Sequence, residues 1–112
     1  MDSILTSTKK LSMVPENCPH FNEQIVAYIN SVFFVLKQLG VGPEEGFVIE
    51  DEAETWDQFL PDDKVLRAAT ADYMAAKVKL KFDPPTSSAH MEALKSIISE
   101  YEWRANVEVE SQ

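Results

Sequence analysis

The chain has 112 residues, 45% of them hydrophobic and 26% charged, which suits one water-soluble globular domain spanning residues 1–112. Its formal net charge of −9 argues against gathering nucleic acid by counterion release. Unbroken apolar runs such as Val32 to Leu36 are far short of the roughly 20 residues a membrane-spanning helix needs, and a single cysteine, Cys18, excludes an internal disulfide.

Met1-Asp2-Ser3 lacks the charged start and long apolar stretch of a signal peptide, so synthesis in the cytoplasm is expected. Ser3 can cap a short helix over residues 3–13, which must stop before Pro15. Residues 14–20 hold two prolines and read as a connection. From Asn22 the apolar residues Ile25, Ile29, Val32, Leu36 and Leu39 recur at helical spacing until Gly40 and Gly42-Pro43 end the pattern.

Gln38 to Asp63 contains nine acids and no Lys or Arg, while the remainder balances ten against ten. This acidic segment, with Glu44, Glu45, Glu50, Asp51, Glu52 and Glu54 at its centre, reads either as a solvated loop or as a lining to which DNA does not stick. Within it Gly46 to Ile49 is a short apolar run. Thr55 caps one helical turn whose Trp56, Phe59 and Leu60 should pin the loop to the core.

After Pro61, Asp62 and Asp63 suit a helix N-terminus, and Leu66, Ala69, Tyr73, Ala76 and Leu80 hold helical spacing to about Phe82. Lys77 to Phe82 alternates polar and apolar as a strand would, but the longer periodicity arriving from Leu66 favours helix. Asp83-Pro84-Pro85 ends it. Ser87 or Ser88 then caps a last helix striped by Met91, Leu94, Ile98 and Tyr101, fraying after about Asn106 and leaving 107–112 as a flexible tail. The expected fold is all-α: two long central helices, a C-terminal helix, two short helices and a long acidic loop.

Tyr28, Phe34 and Val35 lie off the main stripe of their helix and need cover, from a neighbouring subunit or from other helices of the chain. Trp103 and Arg104 are residue types that carry interface energy, although a tryptophan can equally cap its own core. Chemistry-bearing groups are scarce. Cys18, His20 and His90 have no metal-ligand spacing, Gly40-Val41-Gly42-Pro43 lacks the Lys-Ser/Thr of a phosphate loop, and no carboxylate pair stands out. Neither catalysis nor a cofactor is expected.

Several stretches are nonetheless distinctive: Lys9-Lys10-Leu11, Asn30-Ser31-Val32-Phe33, Gln38-Leu39-Gly40-Val41-Gly42-Pro43, Gly46-Phe47 and Trp56. Phe82-Asp83-Pro84-Pro85-Thr86-Ser87-Ser88 and Glu102-Trp103-Arg104-Ala105-Asn106-Val107 complete the set. In this order they resemble head-tail connector proteins of phages and prophages of Gram-positive bacteria. The resemblance implies a helical subunit whose copies, twelve in the family, form a ring beneath the portal in the virion neck. Such a ring extends the DNA channel without binding DNA specifically and receives the tail through a completion or stopper protein. It further implies that Trp103 to Gln112, Asn106 included, faces the portal, and that Gly42 to Glu54 is a channel or ring-contact loop. Ala105 and Thr70-Ala71-Asp72 stand where the resemblance would place bulkier residues.

Two rivals follow from the same residues. A small acidic mimic of DNA that occupies a host DNA-binding protein also has excess acid, but needs it spread over a long surface. A small enzyme would need a conspicuous pocket holding a perturbed titratable group.

Overall fold

A computed structural model describes residues 3–12, 22–61, 63–82 and 84–110, Phe82 and the last five of these by backbone alone. Among the described residues five helices follow one another: α1 (Ile4–Leu11), α2 (Asn22–Gln38), α3 (Trp56–Phe59), α4 (Lys64–Phe82) and α5 (Ser88–Glu110). The bundle is all-helical, as expected. Lys77 to Phe82 continues α4, so the lysines at its end meet the negative pole of the helix.

Local chemistry sets the boundaries. The Ser3 hydroxyl accepts from the Thr6 amide at 3.2 Å, and Ser12 closes α1 with its hydroxyl donating to the Thr8 carbonyl at 2.6 Å. Thr55 and Gln58 form a reciprocal capping box at α3. Asp63 accepts from the Leu66 amide at 2.9 Å at the head of α4. The Ser87 hydroxyl caps α5 through the His90 amide at 3.0 Å. The backbone of α5 stays helical four residues beyond Asn106, to Glu110.

Helix α4 packs against each of the other four, and α5 packs chiefly on α4. That position explains a departure from the sequence reading of α4. Its buried residues are not one stripe but Thr70, Tyr73, Met74, Ala75, Ala76 and Val78, because neighbours approach from several sides, while Ala69 is exposed. Ile25, Ile29, Val32, Phe33 and Leu36 of α2 join Ile4 and Leu5 of α1 in the same apolar cluster.

The segment between α2 and α4 is held by aromatic packing. Phe33 lies 4.7 Å from Phe59 and 5.3 Å from Phe47, with Trp56 against Phe59 at 6.2 Å. Burying a ring of this size contributes about 1.5–3 kcal/mol. The Trp56 indole also donates to Ser7 Oγ at 2.8 Å, and the Ile4 amide donates to the Glu54 carbonyl at 2.9 Å, so α1 is clipped to the loop. Trp56, Phe59 and Leu60 therefore pin the loop as expected.

Candidate functional site

Three surfaces stand out, each built by a different pair of elements. The first is the acidic loop between α2 and α3. Glu44, Glu45, Glu50, Asp51 and Glu52 are exposed and Glu54 is half-buried. The Glu54 carboxylate accepts from the Glu50 and Asp51 amides at 3.1 and 3.4 Å, and Asp51 accepts from the Ala53 amide at 2.8 Å. Sequence reasoning treated these acids as one charged group and missed that two of them fold the loop. The Asp51-to-Ala53 spacing, that of an Asx turn, was the available signal.

Two further acids are also occupied. Asp57 pairs with Arg67 at 3.5 Å, and the same guanidinium donates to the Leu60 carbonyl at 2.7 Å. Asp63 is the α4 cap. Among the described acids of this segment, the exposed side chains left over are those of Glu44, Glu45, Glu50 and Glu52, with Val48 between them in the chain 65% exposed.

The second surface is a groove between α2 and the C-terminal half of α4, lined by Gln24, Ala27, Tyr28, Ser31, Val32, Val35, Lys77 and Lys81. Tyr28 and Val35, singled out from sequence, meet here. Phe34 does not, since it points to the adjoining face of α2 and is 61% exposed. The Lys81 ammonium lies 5.8 Å from the Tyr28 ring, and partial burial raises the Tyr28 phenol above its usual range. Of the two covers considered for these residues, α4 supplies part for Tyr28 and Val35, while Phe34 stays largely exposed.

The third surface lies between the C-terminal part of α5 and the start of α4. Trp103, Arg104, Tyr101 and Ala105 face Val65, Leu66 and Ala69 across a shallow groove. Trp103 is 64% exposed, so it does not cap the core. Tyr101 does that, stacked on Tyr73 with ring centroids 4.3 Å apart. Arg104 is held by Glu100 one turn earlier at 2.9 Å. The Asn106 side chain lies outside the described residues.

A polar spine joins α4 to α5 beneath this surface. The Thr70 and Tyr101 hydroxyls are 2.7 Å apart, and the Tyr73 hydroxyl donates to Glu102 at 2.7 Å, with Lys77 3.7 Å from the same carboxylate. Burial, then the hydrogen bond to and the charge of Glu102, push the Tyr73 phenol far above its ordinary value. Thr70 is fully buried with its hydroxyl on that of Tyr101, and Ala105 is buried in the apolar cluster against which Tyr101 packs. No spacing in the sequence announces this network, whose members are 29 and 31 residues apart.

Among the described residues no group of three His, Cys, Asp or Glu side chains is placed to hold a metal, and no helix is long and apolar enough to cross a membrane. Cys18 and His20 lie outside the described residues; His90 is exposed at the start of α5. What the surfaces offer is contact: exposed aromatic and aliphatic side chains bordered by charge. A family model described as phage connector protein matches residues 4–112. The chain belongs to that family. No curated protein and no solved structure matches it. For a connector, a virion-assembly role accounts for apolar surfaces left uncovered on a single chain.

Proposed function

We propose that this connector is a non-enzymatic ring subunit of the neck of a tailed phage. It is made in the host bacterial cytoplasm and built into the virion beneath the portal, with twelve copies around the DNA channel. Residues 1–112 act as one unit. The C-terminal end, from Trp103 on α5 to Gln112, docks on the portal, and the opposite face of the ring receives a tail-completion or stopper protein.

The observation that carries this reading is that large apolar side chains remain exposed in several places among the described residues, at Leu11 and Ile97, at Phe34, at Val48, and at Val65 with Trp103. A family chain with so many uncovered anchors is suited to simultaneous contact with neighbours and with other layers of the neck. The acidic loop offers DNA phosphate no attractive surface, whether it lines the channel or contacts the ring. The DNA-mimic reading is weaker. Asp51, Glu54, Asp57 and Asp63 are engaged in holding the fold, and the acids outside residues 38–63, exposed Glu23, Asp72, Glu92 and Glu100 among them, are balanced ten to ten by Lys and Arg, so the excess negative charge belongs to one segment.

Light scattering of the purified chain, alone and with the portal from the same genome, tests the proposal. Stoichiometric ring formation in either setting is the expected result. A monomer that ignores the portal and captures a host DNA-binding protein overturns it in favour of the mimic.

A further inference from the structure

The acidic loop and the lysine-edged groove occupy opposite sides of one helix. The loop lies along α2 on the side of Val26, Asn30, Phe33 and Lys37: Asn30 binds the Ile49 backbone, Phe33 packs on Phe47, and Glu50 to Glu52 adjoin Val26. The groove opens on Gln24, Tyr28, Ser31 and Val35. At about 100° per residue the centres of these two sets are about 160° apart around the helix axis. They also share a height. Glu50 to Glu52 sit beside Asn22 to Val26, and Lys81 sits against Tyr28, a difference along α2 of about one helical turn.

Their surfaces are complementary. The loop presents exposed Val48 bordered by Glu44, Glu45, Glu50 and Glu52. The groove has a volume of about 550 Å³, an apolar floor of Tyr28, Val32 and Val35, and Lys77 and Lys81 along its edge. Lys77, Lys79 and Lys81 form the only basic cluster in the sequence, and the loop belongs to its only segment of one sign.

We infer that the groove between α2 and α4 receives the acidic loop of a second copy of this chain, with Val48 on the apolar floor and Glu50 and Glu52 against Lys81. Two different patches on opposite faces define a head-to-tail contact, which repeats from copy to copy and closes into a ring when neighbours sit side by side without axial shift. The near-equal height of the two patches along α2 meets that condition for a ring whose axis runs along α2. The inference rests on the ring reading and names the contact that builds it; the loop is then a ring-contact loop and not primarily a channel lining.

The test uses exposed positions on each patch. Q24E/K81E reverses the groove, and E50K/E52K reverses the loop; far-UV circular dichroism checks that both fold. Assembly is followed by light scattering, alone and on the portal, over a range of concentrations. Each variant should need about tenfold or more protein for half-assembly, because like charges then face each other. An equimolar mixture should recover assembly, since copies alternating around an even-numbered ring place a basic loop in an acidic groove and an acidic loop in a basic one.

The outcomes separate the two readings. Variants that assemble at wild-type concentrations overturn this contact and leave the ring intact. Variants that fail together as well as alone overturn the pairing of these two patches. A wild-type chain that forms no ring, alone or on the portal, overturns the ring reading and this contact with it.

Discussion

Asn30 of α2 holds the main chain of Ile49 through both atoms of its amide, donating to the Ile49 carbonyl at 3.0 Å and accepting from the Ile49 amide at 2.8 Å. One side chain therefore stands in for a strand neighbour and fixes where the acidic loop lies on α2. Buried Ile49 and the Phe47 ring are placed by the same grip.

Replacing Asn30 with Leu removes both bonds and leaves the Ile49 amide and carbonyl to find other partners, a cost of about 1–3 kcal/mol. Asn30→Asp retains an acceptor but cannot donate to the carbonyl, so it should also destabilise. Denaturant unfolding measures both, and proteolysis should cut the loop faster in each. Unchanged stability and unchanged cleavage would show that Asn30 does not position the loop.

Gly42 sits at φ +92°, and a Cβ there would lie 2.7 Å from Phe59 Cζ. Both the backbone and the aromatic cluster oppose a side chain at this position. Gly42→Ala is expected to lower stability by about 1–3 kcal/mol. The thermal midpoint reports it, with Gly46→Ala as a comparison, where the phi is also positive but the nearest atom is the Lys37 stem at 3.4 Å. The Gly42 variant should fall further.

The Tyr73 phenol has a folded pKa raised above its ordinary value of 10.0, and burial raises those of Tyr101 and Tyr28. A raised folded pKa means the native state holds the proton more tightly than the unfolded chain. The stabilisation is present below about pH 10 and is lost as pH climbs past it, by up to about 1.4 kcal/mol per pH unit for one such group. Tyr73→Phe should lose the bond to Glu102 at neutral pH, yet show a shallower loss of stability above pH 10 than the parent. Equal slopes in pH-dependent unfolding would contradict the role assigned to Tyr73.

Trp103 and Phe34 are exposed, so Trp103→Ala and Phe34→Ala should change folding stability by no more than about 0.5 kcal/mol. Trp103→Ala should weaken association with the portal about tenfold or more if it anchors that contact. Sedimentation with and without the portal separates the effects; a variant that unfolds would return Trp103 to the core.

The elements themselves were legible residue by residue. Ser3, Thr55, Asp63 and Ser87 cap the helices they precede, and Pro84-Pro85 follows the end of α4. Trp56 and Phe59 were readable as anchors because a capped apolar turn inside an acidic segment must bury its rings somewhere. Less visible was the division of labour among acids. Glu54 and Glu50 look alike in sequence, but the carboxylate of Glu54 binds amides of the loop and that of Glu50 does not.

By itself the sequence determined what short-range chemistry controls: helix spans from periodicity and caps, the all-helical class, and the placement of charge in one segment. Its ordered stretches also carried the resemblance to the connector family. Only the tertiary structure decided which apolar residues remain uncovered and which distant polar groups meet. Trp103 is exposed because Tyr101 takes the core position over Tyr73, and the loop and the lysines lie on opposite sides of α2 because Asn30 and Phe33 hold the loop to one face. Those outcomes depend on how helices rotate against each other, a choice made by summed packing over many contacts and not by any local pattern.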